Sequence, residues 1–163
     1  MNAPPGRIDP PKLKLRPGKP DDVRPLLEKY GADHFDEGGF GAFSTFDLER
    51  ASREMRAMVE RDDTPVIIAE TDDEFVGWMS WTMMHVFTVQ PIAVLWTIYV
   101  RPEYRQGLVG RQMIAAAMDI AKTEGACAFF ATVAPTSPGG QALCHLFRAF
   151  GFEPMGGAFS RRL

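Results

Sequence analysis

The chain has 163 residues, 45% of them hydrophobic and 24% charged, with a formal net charge of −3. That length suits one domain with a core of its own, and the slightly acidic balance gives no reason to expect a nucleic-acid partner, which needs a basic face. No apolar run approaches the roughly 18 residues of a membrane span, and the start MNAPPGRIDPPK has no apolar signal core, so no membrane attachment and a cytoplasmic location are expected.

Residues 1–11 carry Pro4, Pro5, Pro10 and Pro11 and read as a flexible tail ahead of one domain over 12–163. Lys12 to Arg16 alternates polar and apolar residues and predicts a short first strand. Asp21 or Asp22 caps a helix that runs to about Tyr30, with Gly31 as its stop. A glycine-rich loop follows, with Gly38, Gly39 and Gly41 among Phe35, Phe40 and Phe43; it is either a lid or a loop pinned by its aromatics. A second helix is expected from Asp47 to about Arg61.

PVIIAE (Pro65–Glu70) reads as a buried strand, and Phe75–Phe87 as a long partner across an acidic turn, with Gly77 marking a bulge. A third arm spans Ile92–Val100. Leu108–Lys122 has apolar residues at helical spacing and leads into a buried strand, Ala126–Val133, so strand, helix and strand form a crossover. Gln141–Phe150 is a last helix, and Phe152–Leu163 offers one further strand, or two. The sum is an α/β chain with a mixed sheet, antiparallel in its first part and parallel near the glycine turn.

The two cysteines, Cys127 and Cys144, lack CxxC or four-ligand spacing, so buried reduced thiols and no metal are expected. The chemistry is concentrated between Arg105 and Arg111. An apolar strand runs into a basic, glycine-containing turn and then into a helix, whose first turn has unpaired N–H groups and the positive end of the dipole.

VRPEYRQGLVGRQMI (Val100–Ile114) resembles the acyl-CoA-binding motif of the GNAT superfamily of N-acetyltransferases, as do the element order and the closing LFRAFGF (Leu146–Phe152). The resemblance implies a GNAT-like fold with splayed middle strands and about four helices. It also implies acetyl-CoA as co-substrate, an amine acceptor that is a small molecule or a protein or peptide, and direct attack of that amine. A homodimer remains compatible with it. The family pattern has glycine where Leu108 stands, while Gly107 lies one place earlier. By resemblance the backbone N–H groups of Gln106, Gly107, Leu108, Val109, Gly110 and Arg111 hold the pyrophosphate, with Arg105 and Arg111 adding positive charge nearby, and the backbone of Ile98, Tyr99 and Val100 pairs with the pantetheine arm and can stabilise the oxyanion.

The tyrosine acid that the family often carries in the last helix corresponds to Phe147, and its asparagine to Gly140. Cys144, one turn before Phe147, is a candidate acid, with His145 beside it; the bland reading of Cys144 is a buried structural thiol. His85, among Met83, Met84, Val86 and Phe87, is a candidate base; the bland reading, which the sequence favours, is a satisfied strand histidine. Asp33, His34, Asp36 and Glu37 open the glycine loop, where they attract a cationic amine or serve as solvated charges. A second class of function is a catalytically weak or inactive acyl-CoA-binding regulatory or structural module, which Phe147 and the missing base favour. A dinucleotide-binding domain is a poor third, since no acidic residue follows at the right distance.

Overall fold

The computed structural model describes residues 12–72, 74–85, 87, 89–106, 108–133 and 138–155. The expected tail 1–11, Gly107 and most of the expected last strand (156–163) lie outside them. The order is β1 (Leu13–Pro17), α1 (Pro20–Glu37), α2 (Leu48–Val59), β2 (Val66–Thr71), β3 (Glu74–Met84), β4 (Ile92–Val100), α3 (Val109–Thr123), β5 (Ala128–Ala131) and α4 (Pro138–Ala149). The sheet order is β1-β2-β3-β4-β5, antiparallel throughout except for the parallel β4–β5 pair. The mixed sheet expected from the sequence is therefore the observed one.

Helix α1 starts where its first-turn chemistry says it should. Pro20 supplies a fixed φ, and Asp22 Oδ2 accepts the Lys19 N–H at 2.7 Å. The same carboxylate is bound by Arg16 of β1, whose guanidinium also reaches Glu70 of β2 at 2.7 Å. Arg16 thus ties the edge strand to the helix and the next strand. Val23, Leu26 and Leu27 of α1 are buried.

The helix does not stop at Gly31 but runs to Glu37. Gly31 is a packing residue: a methyl there would sit 2.6 Å from Phe46 Cζ. Missing that tertiary reason makes an interior glycine look like a cap. The consequence is functional, because His34 and Glu37 become helical neighbours one turn apart and project towards β4. The loop is shortened to a 3-10 turn, Phe40–Ala42, with Phe35 in ring contact with Phe40 and Phe46.

The sheet separates two cores. On one face Met79, Trp81, Ala93, Leu95 and Ile98 meet Met113, Ile114 and Ala117 of α3, together with Phe147 of α4. On the other, Trp78 and Tyr99 meet Leu26 of α1, with Met55 and Val59 of α2 partly buried against them. Gly77 borders the first of two bulges, since Ala69 pairs with Gly77 and Glu70 with Phe75, leaving Val76 extra. Four other expectations change. β3 ends at Met84, three residues short of the expected Phe87, and β5 is only four residues long. Residues 152–155 are not in a strand. Cys127 is exposed rather than buried; both cysteines are free, and Cys144 is half-buried.

Candidate functional site

The site is built on β4, whose two halves are held differently. Ile92 to Leu95 pair on both sides, with β3 and, in register Ile92↔Ala128 to Leu95↔Ala131, with β5. Beyond Leu95 the strand runs on to Val100 with no β5 partner. At the same point its pairing with β3 slips: Trp81 faces Leu95 and Ser80 faces Thr97, so Trp96 is an extra residue with no counterpart. This is the expected splay. Ile98, Tyr99 and Val100 all lie in the half that has lost its parallel neighbour. A strand edge of that kind offers main-chain donors and acceptors to an extended amide-bearing ligand.

The far end of β4 leads straight to the turn. The Arg101 N–H donates to Val76 O at 2.9 Å, Pro102–Tyr104 forms one 3-10 turn, and Arg105 and Gln106 follow. Leu108 is the residue preceding α3, with 63% of its surface exposed, and no side chain caps the helix. Val109 is buried in the core. Gly110 has a packing reason that the sequence does not show: a methyl would lie 3.3 Å from Leu146 Cδ2, so the glycine lets α4 approach α3.

The two arginines differ. Arg105 is engaged on three sides: Nε donates to Val100 O at 2.8 Å, NH2 meets both carboxylate oxygens of Glu37 at 2.7 Å, and the guanidinium lies 5.7 Å from the Tyr99 ring centre. Arg111 lies 5.5 Å from the Phe150 ring centre and makes no ion pair among the described residues. An anion arriving at the start of α3 therefore meets Arg111 unpaired, whereas Arg105 must exchange Glu37 for it.

Residue spacing did not reveal what lies under the splayed half. His34, from the last turn of α1, is turned inward, edge-on to Trp78 and Tyr99, and its Nε2 shares a hydrogen bond with Thr97 Oγ1 beside the bulge. Burial, reinforced by the charge of Arg105, lowers its pKa to about 4. It is neutral at pH 7, so it is not a solvated loop charge. Burial also raises the Tyr99 phenol, with the Glu37 charge adding to it. The contacts His34–Thr97 and Glu37–Arg105 join residues 63 and 68 apart.

The remaining expected residues are dispersed. His85 is exposed, one residue beyond β3, and lines a cavity with Trp96. Cys144 and His145 lie on α4, His145 exposed. Phe147 is 5% exposed, 4.9 Å from the Phe152 ring centre, within the core. Among the described residues no three His, Cys, Asp or Glu side chains form a metal-sized group, and no helix is long and apolar enough to cross a membrane.

A sheet that is antiparallel up to a bulged strand, parallel after it and open between the two, with an uncapped helix at the opening, defines the acyl-CoA-binding type of acetyltransferase fold. The sequence matches the model of the acetyltransferase (GNAT) family over residues 28–152, and the chain belongs to that family. Among solved structures, it is similar to the aminoglycoside N-acetyltransferase AAC(6')-Iy in complex with CoA, with a TM-score of 0.72 and 19% identity over 96% of this chain and 98% of that one. It is also similar to an aminoglycoside acetyltransferase from an uncultured soil metagenomic sample in complex with sisomicin, with a TM-score of 0.68 and 16% identity over 93% and 96%. A transcriptional regulator from Bacillus halodurans aligns with a TM-score of 0.75 and 15% identity over 93% and 100%. At these identities the likeness is one of fold. A search of functionally characterised proteins finds no match to the sequence.

Proposed function

We propose that this chain is an N-acetyltransferase that moves the acetyl group of acetyl-CoA to a primary amine by direct attack. The observation that carries the reading is the release of β4 from β5 after Leu95, at the bulge and in line with the uncapped start of α3. The residues present fit the co-substrate: N–H groups of a helix start and Arg111 suit a pyrophosphate, and the edge of Ile98, Tyr99 and Val100 suits a chain of amides. Gln106, Leu108, Val109 and Gly110 complete the turn, and Arg105 joins it once it leaves Glu37. Bound there, acetyl-CoA supplies an activated thioester.

The chain's own residues then have three tasks. The bulge at Trp96 and Thr97 frees backbone from the ladder, where it can stabilise negative charge on the acyl oxygen. His34, kept neutral, orients Thr97 next to that point; with a pKa of about 4 it is a positioning group and a poor acceptor for a proton from an amine whose own pKa is near 10.4. His85 lines the cavity on the acceptor side of the bulge and is the better candidate base. No acid is required at Phe147, because a thiolate with a pKa near 8.5 departs unaided. Cys144 is left as a structural thiol.

The test is free-thiol release from acetyl-CoA across a panel of amines. Release that depends on added amine is the expected result. Tight acetyl-CoA binding without release from any amine would instead favour the acyl-CoA-binding module, a reading to which the burial of Phe147 lends weight.

A further inference from the structure

On the α2 side of the sheet, next to the bulge, lies a cavity of about 360 Å³. It is bounded by Trp96 of β4, Thr82, Met83 and Met84 of β3 with His85 just beyond, Met58 of α2, and Arg61, Asp63 and Thr64 of the turn after it. The turn is fixed against β3, for the Met83 N–H donates to Asp63 O at 2.9 Å and the Trp81 N–H to Pro65 O at 3.3 Å. The indole is fixed as well. Its Nε1 donates to Thr82 Oγ1, which lies 3.2 Å from Thr64 Oγ1, and Thr64 donates to Asp63 Oδ1 at 3.0 Å. Trp96 is therefore 59% exposed yet held in one orientation by a relay of hydroxyls.

The charge of this cavity is already spent. Asp63, its one carboxylate, is gripped at both oxygens by Arg61 at 2.7 Å, which also holds it below the usual carboxylate range. What remains for a ligand is an indole face, the imidazole of His85, the thioethers of Met58 and Met84, and hydroxyls that are mutually satisfied. A polycation needs several uncompensated carboxylates; a ring on a short amine-bearing arm needs apolar walls and at most one cation–π contact.

We propose that this cavity is the acceptor subsite and that it selects an apolar or aromatic monoamine over a polycationic amine, with Trp96 as the stacking surface. Resting on the acetyltransferase reading, the inference sets this chain apart from the aminoglycoside acetyltransferases whose fold it shares. The bulge that opens the reacting segment and the residue that receives the acceptor body are then the same residue.

A binding experiment tests it without turnover. Trp78 and Trp81 are 1% and 0% exposed, so the indole emission that acrylamide quenches is that of Trp96. With 2-phenylethylamine as probe, quenching should fall severalfold, whereas kanamycin should leave it unchanged. In thiol release with acetyl-CoA, 2-phenylethylamine should exceed kanamycin at least tenfold in kcat/KM. Met58→Glu, which puts an unpaired carboxylate in the wall, should narrow that ratio about tenfold while the rise in Tm on adding acetyl-CoA is retained. Protection by kanamycin, an equal or reversed ratio, or a Met58→Glu ratio like that of the parent would overturn the assignment. Loss of the acetyl-CoA effect on Tm in the parent chain would instead count against the cofactor reading, while quenching would still decide the subsite.

Discussion

The two halves of β4 share a strand but not a role. Ile92–Leu95 has a neighbour on each side, with Ala93 and Leu95 buried, and behaves as a structural strand. Trp96–Val100 keeps only β3, and in place of a second strand it gains side chains from α1: His34 against Thr97 and Tyr99, and Glu37 through Arg105 to Val100 O. A strand can shed a partner in mid-course only where something else supports it. That substitution leaves one backbone edge available for a ligand.

The largest effect is expected from removing what holds β5 beside the first half. Phe147 packs on Phe152, and Phe152 on Phe129 of β5. Phe147→Ala should cost about 4 kcal/mol in denaturant unfolding, the range for a truncated core phenylalanine. Phe147→Tyr, which restores the residue type usual in the family, should lower stability by burying a hydroxyl and leave kcat unraised. A faster enzyme would mean the position reaches the reacting atoms.

The second half should be sensitive to acid. The folded-state pKa of His34, about 4, lies below the 6.5 of an unfolded histidine, so the unfolded chain takes up the proton first. Stability is then full above about pH 6.5 and declines as the pH falls towards 4, by up to about 3 kcal/mol from this group. His34→Gln should flatten that part of the profile in urea titrations between pH 4 and 7; an unchanged slope would mean the imidazole is better hydrated than its packing indicates.

Gly77 marks how closely β3 supports the same segment. A methyl there would lie 2.5 Å from Tyr99 O, a backbone atom with little room to move. Gly77→Ala should cost about 2 kcal/mol and, by shifting Tyr99, should weaken acetyl-CoA binding as well. The smallest change concerns the ion pair. Glu37→Gln should alter stability by less than about 1 kcal/mol, since the pair is half exposed. It should nevertheless strengthen acetyl-CoA binding severalfold in calorimetry by releasing Arg105; weaker binding would show that Glu37 instead presents the arginine to the ligand.

Much of the fold was legible because each strand and helix carries its own signal. PVIIAE, the long Phe75 arm and Ile92–Val100 read as strands from their apolar runs, and Leu108–Lys122 as a helix from its 3–4 spacing. The strand–helix–strand order by itself required β4 and β5 to be parallel. The basic turn was legible for the same reason, as a contiguous stretch.

What could not be read was decided by partners distant in sequence. Gly31 looks like a stop until Phe46 occupies the space beside it, and only then do His34 and Glu37 become helical. The sequence by itself determined the elements, their order and a basic turn at the start of a helix, because those depend on local periodicity and on dihedral preferences. Tertiary structure alone decided that Trp96 is the bulged residue, that His34 is neutral beneath it and that Arg105 is held by Glu37. Register, burial and ion pairing are properties of surfaces brought together by folding.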